Sequence, residues 1–201
     1  MRSTSGQTRT SAVVGPPRRA LPALGGGVLA LGALLGWAVF GQRRVVIRGL
    51  SMRPLLESGD GLLVDRLAYR VGRPARGDVV LVHAPASTPP ILVKLLVGLP
   101  GEDIRVARDR LWVDGRELDL GRPVIGSSPG RWTLGAEGYF LLSVNLAIGT
   151  DSRHSGPVER HALLGRGWLV YAPAARRRRL ARPAVPMTLA PGGPHPPAPS
   201  P

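Results

Sequence analysis

The chain of 201 residues has room for one domain with appendages, a typical domain being about 100–150 residues. Its formal net charge is +14, but the excess gathers near the ends, at Arg2, Arg9, Arg18 and Arg19 and again at Arg176–Arg179 and Arg182, and only 4% of residues are aromatic. A nucleic-acid binder would cluster basic residues with aromatics on a folded face, so nucleic acid is excluded as a partner and anionic lipid headgroups are expected instead; the absence of cysteine excludes disulfides, zinc–thiolate sites and a cysteine nucleophile.

Residues 1–19 are small, polar and basic, and are expected as a disordered arm. Residues 20–41 follow as an apolar span, "ALPALGGGVLALGALLGWAVF" running from Ala20 to Phe40 without a charge. About 20 apolar residues cross a bilayer as a helix, and glycine is commoner in membrane helices than in soluble ones. A cleavable secretory signal would have a shorter apolar core and a small-x-small cleavage site, so an uncleaved transmembrane helix is expected. Arginines flank both ends, with a slight excess before the span, which points to a cytoplasmic N-terminus.

Residues 43–173 change character. "RRVVIR", "GLLVDR", "DVVLVH", "ILVKLLV", "DIRVA", "RLWV", "YFLLS" and "GWLVY" are short apolar runs bounded by Gly, Pro or Asp, the signature of β-strands. Asp114-Gly115 within "RLWVDGRELD" marks a two-residue hairpin turn. No long amphipathic helix interrupts them, so a mainly β domain is expected, a compact sheet or barrel-like assembly. Residues 174–201, rich in arginine and proline, are expected as a disordered tail.

Of the 27 lysines and arginines only Lys94 is a lysine, and it sits among aliphatic residues. Arginine stays protonated, whereas a buried lysine loses its proton more readily and then serves as a base. A free amine needs a nucleophile, and Ser51 in "IRGLSMRPLLESGD" is the best-placed hydroxyl. Gly49 before it permits an unusual bend and Pro54 stiffens the turn after it, a setting that exposes Oγ and aims N–H groups at an oxyanion. The competing readings are a snorkelling lysine at a strand edge and an ordinary turn serine. His83, His154, His161 and His195 form no recognisable triad or metal motif and are read as surface or structural residues. Asp60 and Asp78 directly follow glycines, Asp151 lies two residues after Gly149, and all three are expected to shape turns.

Taken in order, the boxes resemble those of bacterial type I signal peptidases, a family of membrane-anchored Ser-Lys proteases. "GLSMRPLLESGD" is similar to the nucleophile box G-x-S-M-x-P-T-L with its following G-D, and "RPARGDVVLVHAP" to the R-G-D-V-V strand. "VKLLVGLPGEDI" is similar to V-K-R-V-V-G-L-P-G-D-x-I, "DGRELDL" to the hairpin after it, and "GTDSRHSGPV" to the final D-S-R box. The resemblance implies a serine endopeptidase with Ser51 as nucleophile, Lys94 as general base and the Ser51 N–H as oxyanion donor. It further implies substrate pockets lined by Val45, Ile47, Met52, Leu56, Leu92 and Val93, and a structural ion pair between Asp151 and Arg153. No metal or cofactor is implied. The implied substrates are secretory preproteins with Ala-x-Ala before the cut, and the implied location is the cytoplasmic membrane, with a single span and the catalytic domain outside. Gly49 stands where some members add a second oxyanion hydroxyl, as in the Gram-positive branch. Gly149 stands where the family has a serine that orients the lysine, and the adjacent Thr150 is the candidate replacement. That departure keeps two other readings open: a maturation protease dedicated to one propeptide, and a catalytically silent, membrane-tethered peptide-binding module. A self-cleaving repressor is set aside, because a span stands where its DNA-binding domain would be.

Overall fold

Every one of these apolar runs becomes a strand in the computed structural model, which describes residues 41–84, 90–124 and 129–191 together with Gly32 and Gly36. β1 (Gln42–Val46), β2 (Gly61–Asp65), β3 (Val79–His83), β4 (Ile91–Gly98), β9 (Gly138–Leu142), β10 (Val158–Glu159) and β11 (Leu163–Ala172) form an antiparallel sheet in the order β1-β2-β11-β3-β4-β9-β10, and β12 (Arg178–Arg179) pairs with β11. A second sheet runs β13-β7-β6-β5-β8, from β5 (Asp103–Ala107), β6 (Arg110–Val113), β7 (Arg116–Asp119), β8 (Gly130–Thr133) and β13 (Thr188–Leu189). Asp114 and Gly115 both take positive φ, 50° and 75°, and close the β6–β7 hairpin with Val113 opposite Arg116, the mirror-image turn that suits strand twist.

Burial follows strand period. In β5 Ile104 and Val106 are buried while their neighbours are half-exposed. β4 lies between β3 and β9 and packs against a cluster on each face, which explains a run that is apolar except at Lys94. Leu95 and Val97 face the main core, shared with Leu62, Val79, Phe140 and Leu142 of the same sheet and with Ile104, Leu111 and Val113 of the second. Leu92 and Leu96 face a smaller cluster with Tyr69, Val80, Val82 and Tyr139, against the short helix Ala68–Val71. Lys94 belongs by parity to this second face.

The tail expected to be disordered from residue 174 is folded through β13, with Ala190 N–H donating to Glu117 O at 2.8 Å. Besides β12 and β13, Val185 is buried and Ala184 N–H donates to Gly77 O at 2.8 Å. The reason lies in two carboxylates read from sequence as turn formers. Asp60 and Asp78 do receive turn N–H groups, from Glu57 and Ala75, but they are only 1% and 2% exposed. A buried carboxylate needs a cation. Arg176 Nε donates to Asp60 at 2.8 Å and Arg182 Nη2 to Asp78 at 2.9 Å. Arg178 donates to the Leu55 carbonyl, and Arg179 lies over the Trp168 ring.

Residues 1–19, most of the expected span at residues 20–41, and residues 192–201 lie outside the described residues. Among the described residues no helix is long and apolar enough to cross a membrane.

Candidate active site

The loop between β1 and β2 carries Ser51. Its base is pinned where Ile47 N–H donates to Asp60 O at 2.8 Å and Gly59 N–H to Ile47 O at 2.9 Å. Gly49 turns the chain at φ +90°, with open space where a Cβ would be, so conformation rather than crowding requires glycine there. Met52 and Leu56, 2% and 0% exposed, anchor the loop in the main core, and Leu56 N–H donates to Met52 O at 2.8 Å. Ser51 therefore stands half-buried on a fixed footing. Its carbonyl accepts from Asn145 N–H at 2.8 Å, tying it to the loop after β9. Neither its hydroxyl nor its N–H donates to a described residue.

Lys94 is 4% exposed. Its Nζ donates to Ser143 Oγ at 2.9 Å. Burial pushes the amine below its ordinary value of 10.5; Asp151 opposes this and Arg153 adds to it. Asp151 and Arg153 largely cancel as charges, because they form a buried pair with side chains 0% and 1% exposed. Arg153 Nε and Nη2 donate to the two carboxylate oxygens at 2.8 and 2.9 Å, and Arg153 Nη1 donates to Leu146 O at 2.9 Å. Burial alone would push the Asp151 carboxyl up, but Arg153 and the Ser143 N–H, 2.9 Å from Oδ2, hold it below the usual carboxylate range.

Gly149 shows how these groups meet. A Cβ built there would lie 2.7 Å from Ser143 Oγ, 2.8 Å from Ser51 Cβ and 3.6 Å from Lys94 Nζ. Serine, amine and a second hydroxyl thus surround one point.

Thr150, the expected substitute for a serine at position 149, is exposed, and the hydroxyl on Lys94 comes from Ser143 instead. Reading along the chain missed Ser143. The β4–β9 register holds the signal: Leu95 faces Leu142 and Leu96 faces Leu141, so one step further sets Lys94 opposite Ser143.

Of the six residues expected to line pockets, Ile47, Met52 and Leu56 belong to the main core and Val45 and Val93 pack against it, whereas Leu92 packs against the second cluster. A cleft of about 430 Å³ runs between Arg53–Pro54 and Val144–Ala147, the segments following Ser51 and Ser143. A larger cavity of about 510 Å³, lined by Arg43, Arg66, Arg70 and Arg160 among others, contains neither Ser51 nor Lys94. His83 is exposed, His161 pairs with Glu159 at 3.2 Å, and His154 lies 3.8 Å from Asp151 with its ring half exposed.

Comparison with known proteins makes the chain a peptidase. Residues 24–172 match the family described as signal peptidase, peptidase S26, and the chain belongs to that family. It is 28% identical over 158 residues to probable signal peptidase I-2 of Synechocystis sp., covering 74% of this chain and 72% of that protein. Signal peptidase I V of Bacillus subtilis (strain 168) is 30% identical over 135 residues, covering 59% and 79%. Signal peptidase I U of the same organism is 34% identical over 148 residues, covering 67% and 78%. A signal peptidase I crystal structure from Enterococcus faecalis V583 overlays 48% of this chain and 97% of its own, with 22% identity and a TM-score of 0.40.

Proposed function

We propose that this chain removes N-terminal signal peptides from secreted preproteins by serine-protease chemistry, with Ser51 as nucleophile and Lys94 as general base. The observation that carries the reading is the buried Lys94 amine, beside the same point as Ser51 Cβ, in a site whose other buried charges are already paired.

In this mechanism the neutral amine takes the Ser51 proton as Oγ bonds to the scissile carbonyl carbon. The resulting oxyanion receives the Ser51 N–H, which has no described acceptor of its own. Collapse breaks the C–N bond, and the Lys94 ammonium returns the proton to the departing amine. Water then attacks the ester carbon and gives a proton to Lys94, and Ser51 Oγ leaves with a proton from the ammonium. No metal or cofactor enters these steps. Ile47, Met52 and Leu56 make a filled floor, on which shallow pockets suit small side chains such as those of Ala-x-Ala.

Residues 20–41 anchor the protein as a single span, with its N-terminus in the cytoplasm and its β domain on the outer face of the membrane. Supporting a site close to the bilayer, Val46, Leu50 and Ile148 expose large apolar side chains on β1 and the loops beside Ser51 and Gly149.

The test is incubation of the full-length protein in lipid or detergent with a preprotein bearing an Ala-x-Ala site, with products read by mass spectrometry. Cleavage after that site is expected, and Ser51→Ala and Lys94→Arg should each lower it on the order of 10⁴-fold while staying folded. Full cleavage by either folded variant would remove that residue from the mechanism. A folded wild type that cuts no Ala-x-Ala site but cuts one dedicated propeptide would replace the general enzyme with a specialised one.

A further inference from the structure

We infer that Ser143 is the positioning residue of the Lys94 base: its hydroxyl fixes where the amine points, in space left open by the missing side chain at Gly149. The inference rests on the Ser51–Lys94 reading and adds a third residue to it.

A neutral lysine amine has two N–H bonds and one lone pair at the end of a four-carbon stem with several rotamers. Burial removes the proton but does not aim the lone pair. Ser143 Oγ, 2.9 Å from Nζ, takes one N–H and restricts the lone pair to the directions left free, and Ser51 Cβ lies beside that space. Ser143 is itself held on three sides. It lies one step past the end of β9, directly opposite Lys94 in the continued register. Its N–H is tied to Asp151, which Arg153 grips with two nitrogens. At 1% exposure it has no room to swing away.

Gly149 completes the arrangement. Its φ of +104° disfavours any side chain, and a Cβ 2.7 Å from Ser143 Oγ and 2.8 Å from Ser51 Cβ would drive apart the groups that must meet. The hydroxyl at 143 and the glycine at 149 therefore work as a pair.

Because Lys94 is the only lysine, lysine labelled with ¹³C at Cε reports this one amine as a single side-chain signal. Ser143→Ala is expected to lower kcat about 10–100-fold at the pH plateau, with KM unchanged. The Lys94 signal should titrate at the wild-type pH or lower, since removing an acceptor cannot favour the ammonium. Ser143→Cys keeps the packing but offers only a weakly accepting sulfur, so it too should lose kcat. Wild-type kcat in either variant would overturn the inference. So would a Lys94 titration shifted upward with full activity regained at higher pH, because Ser143 would then set proton affinity rather than direction. Ser51→Ala and Lys94→Arg, run in parallel, separate the two levels. If those two lose activity while Ser143→Ala does not, only this inference falls; if Ser51→Ala stays active, the dyad falls with it.

Discussion

A lysine amine at 4% exposure burdens the fold for as long as it must carry a proton. Its folded-state value lies below 10.5, so between that value and 10.5 the unfolded chain binds more protons than the folded one, and stability rises with pH. Below the folded value the penalty is complete. Lys94→Met removes the charge and keeps most of the volume, leaving Ser143 Oγ without its donor as a partial offset. Activity should vanish, and the variant should melt higher at neutral pH by about 1 kcal/mol, roughly 2–4 °C for a chain of this size. The difference should narrow as pH rises toward 10.5. Thermal melts across that range check the sign: a constant gap would mean that Lys94 is not the buried proton-shedding group. Lys94 and Ser51, the proposed dyad, stood out in the sequence as candidates because composition and local bend chemistry single them out. Ser143 was not, because its role depends on a partner 49 positions away in sequence.

Strands and loops behave the same way. The eight apolar runs became strands because a half- or fully buried strand writes its burial into its own composition. β8, with alternate residues half-buried, and β10, β12 and β13, two residues each, have little such signal and exist through their neighbours. The segment after Pro173 is the clearest case. Its arginines read as solvated until Asp60 and Asp78 are seen to be buried, 116 and 104 positions away from Arg176 and Arg182. Burial pushes the Asp60 carboxyl up, yet Arg176 and the Glu57 N–H hold it below 3.8, so its contribution is present above 3.8 and lost as pH falls through the folded value. Ending the chain after Pro173 should lower the melting temperature at pH 7 on the order of 10 °C, because two buried carboxylates lose their partners. It should also loosen the Ser51 loop, whose Leu55 carbonyl loses the Arg178 donor. An unchanged melting temperature would return the segment to the disordered tail that its composition implies.

At the scale of the molecule, the question is what brings a small, open site to its substrate. The cleft between the segments that follow Ser51 and Ser143 is open, and Ile47, Met52 and Leu56 are packed into the core, so side-chain contacts alone offer little affinity for a preprotein. Confinement to the same bilayer as a membrane-inserted signal peptide would supply it as effective concentration, without any new contact. Residues 20–41 are the proposed means, and the family match, which begins at residue 24, runs through them. Leu31→Arg combined with Leu34→Arg places charges in the middle of that stretch, each costing about 2.5–3.5 kcal/mol at a bilayer centre, and leaves the β domain untouched. Wild-type protein should float with lipid vesicles in 1 M salt, where surface attraction is screened beyond about 3 Å, and the double variant should not. Both should cut a short soluble peptide at the same rate, while the variant should lose at least about tenfold on a preprotein inserted in vesicles. If the variant still floats in high salt, the exposed apolar residues Val46, Leu50 and Ile148 become the membrane contact in place of the span. If it leaves the vesicles but cuts the inserted preprotein at the wild-type rate, confinement is not how this site finds its substrate, and recognition must come from the β domain itself.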